Sequence, residues 1–169
     1  MKTIGVFFGS ATGNTRDAAV KIKAALGDEG VTVANIGKAT AADLNRFDVL
    51  ILGTSTWGSG DWQDDWAAFR RQIDQVNWSG KCVALFGLGD QYGYADTFVD
   101  AMGLLYEAVV AQGAKVIGAW PDLDYEFEAS CAHRDGGFVG LALDADNQPD
   151  LTETRIRQWV RIVKGELPS

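Results

Sequence analysis

A chain of 169 residues, 47% hydrophobic and 22% charged, is long enough for one compact domain with a substantial core. Its formal charge of −8 excludes a surface built to hold nucleic acid, which needs a cationic face. The longest apolar runs, "VLILG" and "VALFGLG", are far too short to span a bilayer, and Met1 leads into a strand-like segment rather than a basic and then apolar leader. The expected location is therefore the cytoplasm.

Taken in chain order, the first apolar run is "TIGVFF" (3–8), followed by the hydroxyl- and glycine-rich "GSATGNT" (9–15) and a helical stripe of Ala18, Ile22, Ala25 and Leu26. Next come "VTVANI" (31–36), a short helical possibility at 41–44, and "DVLILG" (48–53). A stripe of Trp62, Trp66, Phe69 and Ile73 leads to "KCVALFG" (81–87), and one of Phe98, Met102, Leu105 and Val109 leads to "KVIGAW" (115–120). The polar stretch "PDLDYEFEASCAHRDG" (121–136) has no helical period; after it stand "GFVGLAL" (137–143) and a last stripe of Ile156, Trp159, Val160 and Val163. Buried-strand runs alternating with amphipathic stripes predict a mostly parallel sheet covered on both faces, with right-handed crossovers. With no repeat, low-complexity tract or linker in view, the expectation is one doubly wound α/β domain over residues 1–169.

Ligands of such sheets bind outside the carboxyl ends of the strands, where strand order reverses. Three loops there have unusual composition: "GSATGNT", "TSTWGSGDW" and "GLGDQYGYAD". The first lacks the lysine of a nucleotide-hydrolysing loop and the spacing of a dinucleotide fingerprint. It can present backbone N–H groups at a helix start together with the hydroxyls of Ser10, Thr12 and Thr15, which suits a single terminal phosphate. The alternative is an ordinary turn with Thr12 or Asn14 as helix cap. Trp57 and Tyr94 stand on glycine-rich loops and could hold a flat ligand between them; otherwise both tuck into the core, as Trp62 and Trp66 are expected to do. Cys82 and Cys131 match no disulfide framework or metal-ligand spacing. Charge is uneven: from Trp57 to Asp150 there are 16 acidic and 5 basic residues, against 7 and 10 elsewhere.

In combination, "GSATGNT", "STWGSGDWQDDW" and "GLGDQYGYADTF" resemble the phosphate loop and the two flavin-flanking loops of flavodoxins, specifically the long-chain group, and the resemblance runs through the C-terminal "FVGLALDADNQPDLTETRIRQWV". It implies a five-stranded parallel sheet of order 2-1-3-4-5 whose last strand is interrupted by the 121–136 insertion, and a non-covalent FMN. Ser10, Ala11, Thr12, Gly13, Asn14 and Thr15 would bind its phosphate, and Trp57 and Tyr94 would flank the ring. Leu88, Gly89 and Asp90 would meet the pyrimidine edge, and Thr56 and Asp146 would approach the ribityl chain. Gly58 and Ser59 would lie beside flavin N5, at a position whose residue type tunes the potentials.

The function implied is that of a low-potential, one-electron carrier with no substrate of its own, working as a monomer. Partners open from the resemblance are ferredoxin-NADP reductase, a pyruvate oxidoreductase, nitrogenase reductase or a photosystem. Asp61, Asp64, Asp65, Asp90 and Asp96, with Asp122, Asp124, Glu126 and Glu128 of the insertion, would form an acidic rim that steers a basic partner. Two rival readings share the fold. An NAD(P)H or quinone oxidoreductase would need a nicotinamide site, for which no motif is present, and a phospho-receiver would need an acidic cluster where "GSATGNT" stands.

Overall fold

The computed structural model describes residues 2–9, 13–27, 29–56 and 60–168. The two strands with the longest unbroken apolar character form the middle of a parallel sheet: β3 (Val49–Ser55) and β4 (Cys82–Leu88) are buried along their whole length. On the other side of β3 lie β1 (Ile4–Gly9) and then β2 (Val31–Asn35), giving the order β2-β1-β3-β4. Parallel registers such as Phe8↔Gly53 and Gly53↔Phe86 hold the three central strands together.

The fifth position is shared. β5 (Lys115–Ile117) pairs with the first half of β4 and β9 (Leu141–Leu143) with the second half, both parallel to it. This is the interrupted last strand that the resemblance implies. The runs at 115–120 and 137–143 are nevertheless shorter in the main sheet than their composition predicts. Gly118 adopts φ +82, which turns the chain, and is pinned there by α5 (Thr152–Glu166): its N–H donates to Glu166 Oε1 (2.7 Å) and its carbonyl accepts from Trp159 Nε1 (2.8 Å). The intervening residues form a small antiparallel sheet of β6 (Trp120–Pro121), β7 (His133–Arg134) and β8 (Gly137–Phe138), in the order β6-β8-β7.

Helices cover both faces. α1 (Asn14–Leu26) and α5 pack on each other. On the opposite face, α3 (Asp64–Phe69) brings Trp66 beside Gly9, while α4 (Asp100–Ala111) brings Met102 beside Gly87. Gly9 and Gly87 both align with Thr54, so they point to the same side of the sheet. The predicted helix near 41–44 is α2 (Ala41–Asn45), closed by a reciprocal capping box between Thr40 and Asp43. The stripe of Trp62 to Ile73 is split into α3 and a 3₁₀ segment, Arg70–Gln75. Trp66 is fully buried, whereas Trp62 is half-buried with the Arg70 guanidinium 4.6 Å from its ring.

Candidate functional site

A cavity of about 250 Å³ opens at the carboxyl ends of β1, β3, β4 and β9, lined by Asn14, Thr15, Ser55, Thr56, Leu88, Gly89, Asp90, Tyr94, Ala145 and Asp146. Chain order explains the place. From β1 the chain runs outward to β2 and then returns across β1 to β3, so the loops after β1 and β3 part at the reversal and leave a crevice. The structure thus brings together Asn14, Thr15, Thr56, Leu88, Gly89, Asp90, Tyr94 and Asp146 of the residues expected from the sequence. Ser10, Ala11, Thr12, Trp57, Gly58 and Ser59 lie outside the described residues.

At the helix end of the pocket, α1 begins at Asn14, and the cap position is Gly13 in a left-handed conformation, φ 92, that glycine adopts without strain. Asn14 is therefore the first helical residue and not the cap. Thr15 is 1% exposed, and its Oγ1 meets no hydrogen-bond partner among the described residues; the same holds for Ser55 Oγ. Two buried, unsatisfied hydroxyls on one pocket are costly unless something fills it. Thr56 is turned differently: its Oγ1 accepts from the Ala101 N–H (3.0 Å), and its own N–H donates to Leu88 O (3.0 Å), tying β3 to β4 and α4 at the rim.

The opposite wall is shaped by Asp90. Its Oδ1 accepts from the N–H groups of Tyr92 (3.0 Å) and Gly93 (2.7 Å) and from Asn147 Nδ2 (2.7 Å), while its carbonyl accepts from the Tyr94 N–H (2.9 Å). The Gly93 N–H, the Asn147 amide and the Tyr92 N–H hold the Asp90 carboxyl below its ordinary value. This tight turn throws Tyr94 outward, 39% exposed and lining the pocket rather than the core. Asp146 has its carboxyl pushed up, first by burial and then by the charges of Asp90 and Asp144. Beneath the loop after β3, the buried Asp100 packs against Gly60, where a Cβ would stand 2.6 Å from Asp100 Oδ2. Burial raises the Asp100 carboxyl, although its Oδ1 accepts from the Cys131 N–H (2.7 Å).

Sequence reasoning missed two residues. Asp144 and Gln91 are both fully buried immediately behind the pocket and hydrogen-bonded to each other. The only available signal was a carboxylate and an amide next to apolar runs, and "GLALDADNQ" reads equally well as a solvated turn. The insertion was expected near this face, and it is: the Glu126 N–H donates to Gln91 Oε1 (2.5 Å) and the Glu128 N–H to Ala95 O (2.7 Å).

Loops gathered in this way around a strand-order reversal, with donors left open at a helix start, belong to the nucleotide-binding class of doubly wound domains. Residues 6–159 match the sequence profile of flavodoxins, and the chain belongs to that family. It is 46% identical to the flavodoxin of Synechocystis sp. over 170 aligned positions covering 100% of both chains. Against Klebsiella pneumoniae flavodoxin the identity is 45%, over 99% of this chain and 96% of that one. Among solved structures it is similar to Fusobacterium nucleatum flavodoxin bound to flavin mononucleotide, with a TM-score of 0.94 and 33% identity over 99% of this chain and 100% of that one.

Proposed function

We infer that this protein is an FMN-dependent electron carrier and not an enzyme with a substrate of its own. The observation that carries the reading is a pair of buried hydroxyls, on Thr15 and Ser55, that meet no partner among the described residues and belong to residues lining a crevice at the reversal of the sheet. A donor without an acceptor at a helix N-terminus fits an anionic phosphate ester, and among the described residues no cation lines this pocket that would match a larger polyphosphate. Asn14 and Thr15, with Ser10, Ala11, Thr12 and Gly13, are proposed to hold the phosphate. Thr56 and Asp146 are proposed for the ribityl chain, Leu88, Gly89 and Asp90 for the pyrimidine edge, and Trp57 and Tyr94 for the two faces of the ring, with Gly58 and Ser59 at its N5 side. Bound FMN supplies the capacity to take up and release electrons one at a time. The chain's part is to bind it, shield it and set its electrostatics. Asp90 places negative charge beside the ring position and Asp146 beside the ribityl chain, which opposes further negative charge in the pocket and favours a strongly reducing carrier.

The partners are redox proteins, and we propose ones with basic docking surfaces, such as ferredoxin-NADP reductase, a pyruvate oxidoreductase, nitrogenase reductase or a photosystem. A cytoplasmic monomer of one domain, in the long-chain group by virtue of its insertion, completes the reading; no helix among the described residues is long and apolar enough to cross a membrane. The test is titration of apoprotein with FMN, riboflavin and FAD. FMN should bind most tightly, and Thr15→Val should weaken FMN roughly ten- to a hundredfold, the scale of one hydrogen bond to a charged group, with riboflavin little changed. FAD binding as tightly as FMN, or equal losses for FMN and riboflavin in the variant, would refute the assignment of the phosphate end.

A further inference from the structure

Asp144 follows β9 directly and is 0% exposed, as is Gln91. Among the described residues, no lysine, arginine or histidine pairs with Asp144. Four hydrogen bonds satisfy it instead. Its Oδ2 accepts from the Gln91 N–H (3.1 Å), Gln91 Nε2 (2.8 Å) and Asn147 Nδ2 (2.9 Å), and its Oδ1 accepts from the Asn147 N–H (3.0 Å). The network continues on both sides. Asn147 Nδ2 also donates to Asp90 Oδ1, and Gln91 Oε1 accepts from the Glu126 N–H of the insertion. One buried carboxyl group therefore joins three segments that are distant in sequence: the loop after β4, the turn after β9, and the insertion.

Two of those segments are walls of the pocket, through Gly89, Asp90 and Tyr94 on one side and Ala145 and Asp146 on the other. Asp144 and Gln91 line neither wall, and each sits one or two residues behind a residue that does. An acidic group buried without a counter-ion is expensive, and it is tolerable here only because four donors converge on it. An apolar residue would fill the same volume at less cost but could not hold two loops at a fixed separation.

We propose that Asp144 is a positioning residue for the flavin ring: working through Gln91 and Asn147, it fixes the distance between the two walls at the ring end of the pocket and makes the insertion a brace of that site. This rests on the reading of the pocket as the FMN site. None of the clamp's hydrogen bonds involves Thr15, so it acts on the ring and ribityl portions and leaves the phosphate end alone. A role limited to general stability would instead lower the unfolding midpoint and leave the folded protein's affinity and spectrum unchanged.

The experiment compares wild type, Asp144→Asn and Asn147→Ala as folded apoproteins, titrated with FMN and separately with riboflavin. Asn at position 144 turns a donor toward a donor, and affinity for both ligands should fall by the same factor, on the order of tenfold. The ratio of FMN to riboflavin affinity should stay at its wild-type value, and the visible circular dichroism of the bound flavin should change. Asn147→Ala, at a half-buried surface position, cuts the link to Asp90 and removes one of the carboxyl's four donors while keeping Asp144 and its other three hydrogen bonds, and should show a smaller loss of the same kind; it decides the matter alone if Asp144→Asn does not fold. Wild-type affinities and an unchanged flavin spectrum in the folded variants would overturn the proposal, as would a loss confined to FMN. Failure of wild-type protein to bind either ligand would instead remove the reading of the pocket, and the positioning role with it.

Discussion

Single residues in this molecule carry costs that only a bound ligand or a neighbouring loop explains. Thr15 keeps a buried hydroxyl that no group among the described residues pairs, and Asp100 keeps an acid buried beneath the loop after β3. Burial holds the Asp100 carboxyl above its ordinary value of 3.8, outweighing the Cys131 N–H that works in the other direction. A raised carboxyl retains its proton longer in the folded state than in the unfolded one. Its contribution to stability is therefore fully present below pH 3.8 and is lost as pH rises through the folded value. Asp100→Asn keeps an oxygen for the Cys131 N–H but cannot ionise. Its stability relative to wild type should thus increase on raising the pH from below 3.8 and level off once the wild-type carboxyl is ionised. Urea unfolding of apoprotein across that range measures this, and parallel pH profiles for the two proteins would show that Asp100 does not titrate in the way its burial demands.

Among the elements, the insertion depends most on long-range contacts. Tyr125 anchors it. The Tyr125 hydroxyl donates to Ala142 O of β9 (2.5 Å) and accepts from Trp120 Nε1 (2.8 Å), its ring lies 4.1 Å from the Arg155 guanidinium, and it packs against Phe98 and Phe138. That enclosure pushes the phenol up to about 12, so it remains a donor throughout the working range. Tyr125→Phe leaves a buried carbonyl and an indole N–H without their partner and should cost about 1–3 kcal/mol, read as a lower urea midpoint with an unchanged slope. The same element shows where the sequence stops being legible. Strands β1, β3 and β4 could be read directly because each holds an unbroken apolar run, and their carboxyl-end loops marked the site. The insertion could not, because the tertiary partners of Tyr125, Gln91 and Trp120 make its two-residue strands, with no local period to announce them. Asp144 was hidden for the same reason: a buried acid is recognisable only once its four donors have been placed around it.

Across the whole molecule, charge is divided by position. The segment from Trp57 to Asp150, with 16 acidic and 5 basic residues, contributes every wall of the pocket except Asn14, Thr15, Ser55 and Thr56. The bonds from the Glu126 N–H to the Gln91 side chain and from the Glu128 N–H to the Ala95 carbonyl draw the acidic insertion alongside the Tyr94 loop. Not every acid there is free to steer a partner. Asp65 is half-buried, accepts from Gln63 Nε2 (3.2 Å) and packs on Gly37, whereas Asp64, Asp96 and Glu128 are exposed. A carrier must dock, transfer and leave, which favours a small contact guided by charge over a large apolar one. Replacing Asp64, Asp96 and Glu128 with Asn, Asn and Gln should slow association with a basic redox partner while FMN stays bound, since none of the three lines the pocket. In wild type the rate should fall as ionic strength approaches 0.1 M, where the Debye length is about 10 Å, and in the variant that dependence should flatten. Stopped-flow electron transfer across a salt series measures both quantities. An unchanged rate and salt slope in the variant would mean that these acids only solvate the surface, and that the partner is oriented by contacts nearer the ring.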